Sequence, residues 1–264
     1  MSNSQQNIQQ ILQKALSSWR DWQTGELVLK RQPEVLHELL GGKTNRSFLV
    51  ASGSFKAVVR INAANSQSLG IDRNRELKIL QLLQPTGTVP MLFFSDEQVM
   101  VSSYCQGQHW VDSAENRSNL NTALAKIQAI AVPDLAKRNY VDYCTAYINQ
   151  LDQHLVDQPL VEKILSAASA VDKSDWTAVI CHHDLVPENI LITAEGLKLL
   201  DWEYAAMGHP TLDYIRLYKS DLRSTNLAYD RNIIEQLATV QDGMDDLWSL
   251  VQEGVQEVVQ VPQQ

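Results

Sequence analysis

Cys181-His182-His183-Asp184-Leu185-Val186-Pro187-Glu188-Asn189, running on through Ile190-Leu191-Ile192-Thr193 to Leu197-Lys198-Leu199-Leu200-Asp201-Trp202-Glu203-Tyr204, is the stretch on which the reading of this chain turns. Its two apolar-rich runs are separated by Ala194-Glu195-Gly196, which predicts a tight hairpin with the glycine at its bend. Such a hairpin carries Asp201 back beside Asn189, so that Asp184, Asn189 and Asp201 gather at one end of it. Turn capping would account for Asp184 and Asn189 singly, but not for both acids, the amide and the hairpin together.

Two carboxylates and one amide in that arrangement suit phosphoryl transfer, which needs alignment and charge neutralisation more than covalent help. In the kinase catalytic loop H-R-D-x-x-x-x-N the Asp accepts the proton of the substrate hydroxyl and the Asn holds magnesium, while a later Asp holds magnesium at the phosphates. Those places fall on Asp184, Asn189 and Asp201. The implied cofactors are ATP and Mg2+.

Upstream, Leu39-Leu40-Gly41-Gly42-Lys43-Thr44-Asn45 precedes the β-branched run Phe55-Lys56-Ala57-Val58-Val59-Arg60-Ile61. Paired glycines let a backbone approach phosphate oxygens, which makes Gly41, Gly42, Thr44 and Asn45 the candidate nucleotide loop; Walker spacing and a full G-x-G-x-x-G are both absent. Kinases carry a phosphate-pairing cation on the strand after that loop, held by a helix Glu. Arg60 and Glu76 are the candidates, the latter at the start of a helical pattern with apolar residues at 79, 80, 82 and 83. An ion pair of Glu76 with Arg73 or Lys78 on its own helix is the alternative. The strand Val99 to Gly107, which ends in a glycine, sits where a hinge between two lobes would read adenine through its backbone.

The formal net charge of -9 argues against a nucleic-acid partner and leaves a cationic substrate open. Cys105, Cys144 and Cys181 are widely spaced and odd in number, which predicts reduced thiols in a cytoplasmic protein. No apolar run approaches the ~20 residues of a membrane span. Ile8, Ile11, Leu12, Ala15, Leu16 and Trp19 follow the steps of an amphipathic helix that packs on its own lobe, and the tail from Gln252 is expected to fray near Pro262.

Taken together, these motifs resemble the aminoglycoside phosphotransferase and choline kinase superfamily from about Gly41 to Asp213. The I-D-R-x-x-E helix of its choline kinase-like branch reads Ile71-Asp72-Arg73-Asn74-Arg75-Glu76, and the D-W-E-Y metal motif reads Asp201-Trp202-Glu203-Tyr204. Bacterial thiamine kinases are similar from Leu197 to Ala205. The resemblance implies an α+β, bilobal, protein-kinase-like fold: a small antiparallel-sheet lobe with a helix over 1–105, and a larger, mainly helical lobe carrying the catalytic hairpin over 106–264. It also implies that His182 supports the loop backbone, that Asp213 braces it, and that a cationic acceptor sits among carboxylates and aromatic faces, with Glu203, Tyr204 and Trp248 as candidates and Tyr214 behind them.

The loop is also similar to the H-R-D-L-K-P-E-N of protein kinases, but Val186 stands for its Lys, Trp202-Glu203 for the Phe-Gly after the metal Asp, and no A-P-E segment follows. The expectation is therefore ATP-dependent phosphorylation of the hydroxyl of a small, cationic metabolite of choline or thiamine type. An aminoglycoside phosphotransferase and a catalytically silent nucleotide-binding regulator are the alternatives.

Overall fold

The computed structural model describes residues 3–27, 29–41, 44–67, 69–151, 157–219 and 230–260. Helix α1 (Asn3–Ser17) lays Leu12, Ala15 and Leu16 on one face of a five-stranded antiparallel sheet. The sheet comprises β1 (Glu34–Leu39), β2 (Arg46–Ser52), β3 (Phe55–Ile61), β4 (Leu92–Ser95) and β5 (Val99–Ser103), ordered β1-β2-β3-β5-β4. Along β3, burial alternates with the period of a strand: Phe55, Ala57, Val59 and Ile61 point into the core beneath α1. Arg60 therefore emerges on the opposite face of the sheet.

Helix α2 (Arg73–Leu83) starts at Asp72, whose side chain accepts from the N–H groups of Asn74 and Arg75, satisfying two donors left open at a helix start. Its buried residues are Glu76, Ile79, Leu80 and Leu83, spaced so that all four lie on one helical face. The three apolar ones share a core with Leu120, Leu124, Ile127, Ile180, Leu185 and Trp202, and so carry Glu76 inward with them.

The chain next enters a three-stranded sheet, β6-β8-β9, made of β6 (Gly107–His109), β8 (Ile190–Thr193) and β9 (Gly196–Leu199). A Cβ on Gly107 would lie 2.6 Å from the Ile192 carbonyl oxygen, so only glycine allows this pairing. Helices α3 (Ala114–Gln128), α4 (Tyr140–Ile148), α5 (Gln158–Lys173), α6 (Leu212–Tyr218) and α7 (Arg231–Gln260) make up most of the remainder. Between α5 and α6, β7 (Val179–Cys181) pairs with β10 (Ala206–Gly208). Tyr140, Tyr147, Ile164, Val171, Ile215, Leu237 and Leu247 form the core shared by α4 to α7.

The architecture is the α+β fold expected from the motifs, a small antiparallel sheet with a helix and a larger helical part with a hairpin. One detail differs: Gly196 pairs with Thr193 and opens β9, leaving Ala194 and Glu195 as the connection. Gly196 takes φ +113° there, a backbone that side chains resist. All three cysteines are free thiols. No helix among the described residues is long and apolar enough to cross a membrane. The expected fraying near Pro262 falls outside the described residues.

Candidate active site

Asp184 follows β7 on a loop whose backbone is fixed from below. The N–H groups of His182 and His183 donate to the two carboxylate oxygens of Asp213 at 2.9 and 3.0 Å. Asp213 is 1% exposed; burial pushes its carboxyl up, and His182 and the two loop N–H groups oppose that. His182 Nδ1 accepts from the Asp184 N–H, and its Nε2 donates to the Leu200 carbonyl at 2.7 Å, tying this loop to the end of β9. His183 adopts φ +66°, and its ring fills the space left by Gly208, where a Cβ would come within 2.7 Å of it.

The hairpin delivers the other two groups. Leu200 donates to the Asn189 carbonyl at 2.8 Å, continuing the β8-β9 ladder, so Asp201 emerges next to Asn189. The Asn189 amide nitrogen donates to the Asp184 backbone oxygen at 2.9 Å and, weakly, to its carboxylate at 3.4 Å. Asp201 sits in the left-handed region with φ 60° and ψ 63°.

Arg60 and Glu76 meet as the sequence suggested: Nη1 and Nη2 of Arg60 donate to the two carboxylate oxygens at 2.7 and 2.8 Å. The helix-local alternative is realised as well, because Arg73 donates to the same carboxylate at 2.8 Å. Burial raises the Glu76 carboxyl, but Arg60 and then Arg73 outweigh it and hold the group below the usual range. From Glu76 the network runs outward. Arg73 lies 3.1 Å from Glu203 and donates to the Asn45 amide oxygen at 2.8 Å, while the Asn45 amide nitrogen donates to Glu203 at 2.6 Å. At the other end Arg60 Nη1 stands 3.6 Å from Asp201.

Asp201 is pushed up to about 7, first by burial and then by Glu203, with Arg60 opposing and Glu76 and Asp184 adding to the rise. The donor set fits a hard divalent cation: Asp201 offers a carboxylate, and Asn189, its amide nitrogen turned to Asp184, offers an amide oxygen. Two protein oxygens suit Mg2+, which keeps several waters and takes phosphate oxygens. No group of three His, Cys, Asp or Glu among the described residues makes a metal cage of its own.

A cavity of about 500 Å3 joins these groups, reaching from Gly41 and Thr44 over Asp184, Asn189 and Asp201 to α7. Aromatic residues line it too. Trp248 Nε1 donates to the Tyr204 hydroxyl at 3.2 Å, and Tyr143 meets Tyr147 edge-on with ring centroids 5.6 Å apart. Glu203, expected among acceptor groups, lines the cavity but is 3% exposed and already paired. Both ends of the Asn45 amide are engaged within the protein, which suits a tie from the loop to Glu203 better than a phosphate contact. Gly42 lies outside the described residues.

Sequence reasoning missed Arg73 as a hub, Arg216, Asp245 and the tyrosines of α4. Tyr143 and Tyr147 were legible as an i, i+4 pair; Arg216 carries no local signal, since its partners are 32 and 29 residues away.

Residues 35–247 match the model of the phosphotransferase enzyme family. Among curated proteins, a 33-residue stretch is 48% identical to protein LicA of Haemophilus influenzae, covering 12% of each chain, so the match spans a small part of that relative's length. The LicA homolog of Mycoplasma capricolum is 26% identical over 182 residues, 66% of this chain and 69% of that one. Among solved structures, the choline kinase LicA of Streptococcus pneumoniae superposes with a TM-score of 0.73 at 20% identity, covering 94% of this chain and 92% of that one. A LicA in complex with AMP gives 0.74 at 22% identity, covering 93% and 90%. These structural likenesses are of fold. With the family model covering most of its length, and with the motifs of the aminoglycoside phosphotransferase and choline kinase superfamily in register on that fold, the chain belongs to the phosphotransferase enzyme family.

Proposed function

We propose that the protein transfers the γ-phosphoryl group of ATP, bound with Mg2+, to the hydroxyl of a small cationic alcohol of the choline type in the cytoplasm. The observation that carries this reading is the convergence of Asp184, Asn189 and Asp201 in one cavity that Tyr204 and Trp248 also line. The choline kinase fold of the LicA neighbours and the AMP held by one of them support the same direction.

Asp184 orients the acceptor hydroxyl and takes its proton as the new oxygen–phosphorus bond forms and ADP departs. Asn189 and Asp201 would hold the metal, and Mg2+ would supply charge neutralisation at the phosphate oxygens. Arg60, fixed by Glu76, extends its cation toward the phosphates, and Gly41 and Thr44 line the cavity that would receive them. Tyr204 and Trp248 offer aromatic faces to a quaternary nitrogen, whereas Tyr147 is buried in the core and Arg138, 4.0 Å from the centre of the Tyr143 ring, occupies that one. Glu203 contributes its field from behind, since Arg73 and Asn45 take its direct contacts.

The test is ADP release with choline, ethanolamine, thiamine and an aminoglycoside as acceptors. Choline should give the highest kcat/KM, and Asp184→Ala should abolish turnover. Preference for thiamine or an aminoglycoside would overturn the acceptor class; nucleotide binding without turnover on any of them would favour the silent regulator.

A further inference from the structure

Arg216, on α6, has no place in the roles given above, yet it touches Asp184 directly. Its Nη2 and Nε both donate to Oδ1 of Asp184, at 2.9 and 3.3 Å. Its Nη1 donates to Oδ2 of Asp245 on α7. The guanidinium is 16% exposed, and both carboxylates line the cavity with it. Burial alone would weaken this cation; Asp184 and then Asp245 outweigh that and strengthen it.

The geometry points to Arg216 as a positioning residue that fixes which oxygen of Asp184 faces the acceptor, with Asp245 anchoring it to the helix that walls the acceptor pocket. This rests on the reading of Asp184 as the acceptor-side base. A carboxylate rotates about its last torsion with two nearly equivalent oxygens. The planar fork of Arg216 removes the equivalence by placing two N–H groups on Oδ1. Oδ2 keeps only the 3.4 Å approach of Asn189, and is the oxygen left to accept the hydroxyl proton. Lysine, a single point charge, cannot set that orientation.

The link to α7 adds a connection between recognition and chemistry. Asp245 and Trp248 are three residues apart on α7 and share a face. The wall that meets the acceptor and the anchor of the clamp on Asp184 are therefore carried by one helix. A clamp that merely neutralised the base would slow the reaction, and its removal would speed it up. A clamp that aligns does the reverse, because misplacement of a reacting group by about 1 Å can cost on the order of 100-fold in rate.

The experiment compares full-length wild type with Arg216→Met, Arg216→Lys, Arg216→Ala and Asp184→Ala, measuring kcat, both KM values by ADP release, and the melting temperature. Arg216→Met should lose roughly 100-fold in kcat, with KM for Mg-ATP within about twofold of wild type, as expected when an interaction made in the transition state is lost. Arg216→Lys should not restore the rate, whereas guanidinium ion added to Arg216→Ala should raise kcat severalfold where the same concentration of NaCl does not. Unchanged or faster turnover in Arg216→Met, with Asp184→Ala inactive, overturns the positioning role. So does a loss that tracks a fall in melting temperature, raises both KM values and resists guanidinium, which would mark a structural tie between α6 and α7. A wild type silent with every acceptor is a different failure, that of the functional reading itself, and the positioning role falls with it.

Discussion

Arg73 answers four acceptors with one side chain: Glu76, Glu203, the Asn45 amide oxygen and the Ser66 hydroxyl. Glu76 and Glu203 are 1% and 3% exposed, so removing the cation between them leaves charge in a place water does not reach. Breaking such a buried pair costs about 3–5 kcal/mol. Arg73→Met should therefore lower the melting temperature by roughly 6–20 °C at ~2–4 °C per kcal/mol, and should raise the acceptor KM as Glu203 shifts; thermal melts and acceptor titrations check both. Asp201 carries a second expectation. Its carboxyl, raised to about 7, is protonated in the metal-free protein below that pH, and a cation must displace the proton to bind. Affinity for Mg2+ with nucleotide should fall about tenfold per unit below pH 7 and level off above it, a slope that isothermal titration at several pH values would reveal and that Asp201→Asn should remove. Of these residues, Arg60 and Glu76 were legible because strand alternation and helix periodicity each aim one side chain at a known place. Arg73 was visible only as a local partner, since the turn that brings Asn45 and Glu203 to it is set by tertiary packing, and Asn45 read as a phosphate ligand because sequence shows the loop and not the carboxylate behind it.

The β8-β9 hairpin was readable from two short apolar runs and a glycine, a pattern complete within a dozen residues. Helices α3 to α5 were not, beyond a general expectation of a helical lobe, because their positions depend on how they pack against one another. The contact between α5 and α7 shows why. Gly243 lies in the interior of α7, where local propensity favours Ala by about 1 kcal/mol, and yet a Cβ there would come within 2.3 Å of Ile164 Cγ1 and 2.5 Å of its Cδ1 on α5. Close approach of the two helices decides the residue. Because Cγ1 is held near the stem of a fully buried side chain, Gly243→Ala should be net destabilising, by up to about 2 kcal/mol once overpacking of about 1–3 kcal/mol is set against the helix gain. Combining it with Ile164→Ala tests the cause: the double variant should be more stable than the two single effects add up to, since each change relieves the other. Simple additivity in urea denaturation would place the close contact elsewhere.

For the molecule as a whole, buried bases and buried acids pull stability in opposite directions with pH. His209 is 1% exposed and held down to about 4, by burial first and Lys137 second, and burial pushes His183 well below its ordinary value in the same way. A base with a depressed folded pKa contributes stability that is complete above its unfolded value near 6.5 and is lost as pH falls toward 4, because the unfolded chain takes up the proton first. For His209 that amounts to about 3 kcal/mol across the window. Asp201 works the other way: its raised pKa favours the folded metal-free state as pH falls from 7, although its half-open side chain screens part of the effect. The metal-free protein should therefore show a shallow stability profile between pH 7 and 4. Saturating Mg2+ and nucleotide, which hold Asp201 ionised, should expose the histidine slope and make the same profile steep. His209→Asn isolates the base, since its amide oxygen can take the place of Nδ1 in accepting from Thr211 while leaving nothing to titrate. Urea unfolding of wild type and His209→Asn at pH 7 and pH 4 should show the wild type losing about 3 kcal/mol relative to the variant; parallel losses in the two proteins would mean that His209 is protonated in the folded state and that the acid limb belongs to other groups.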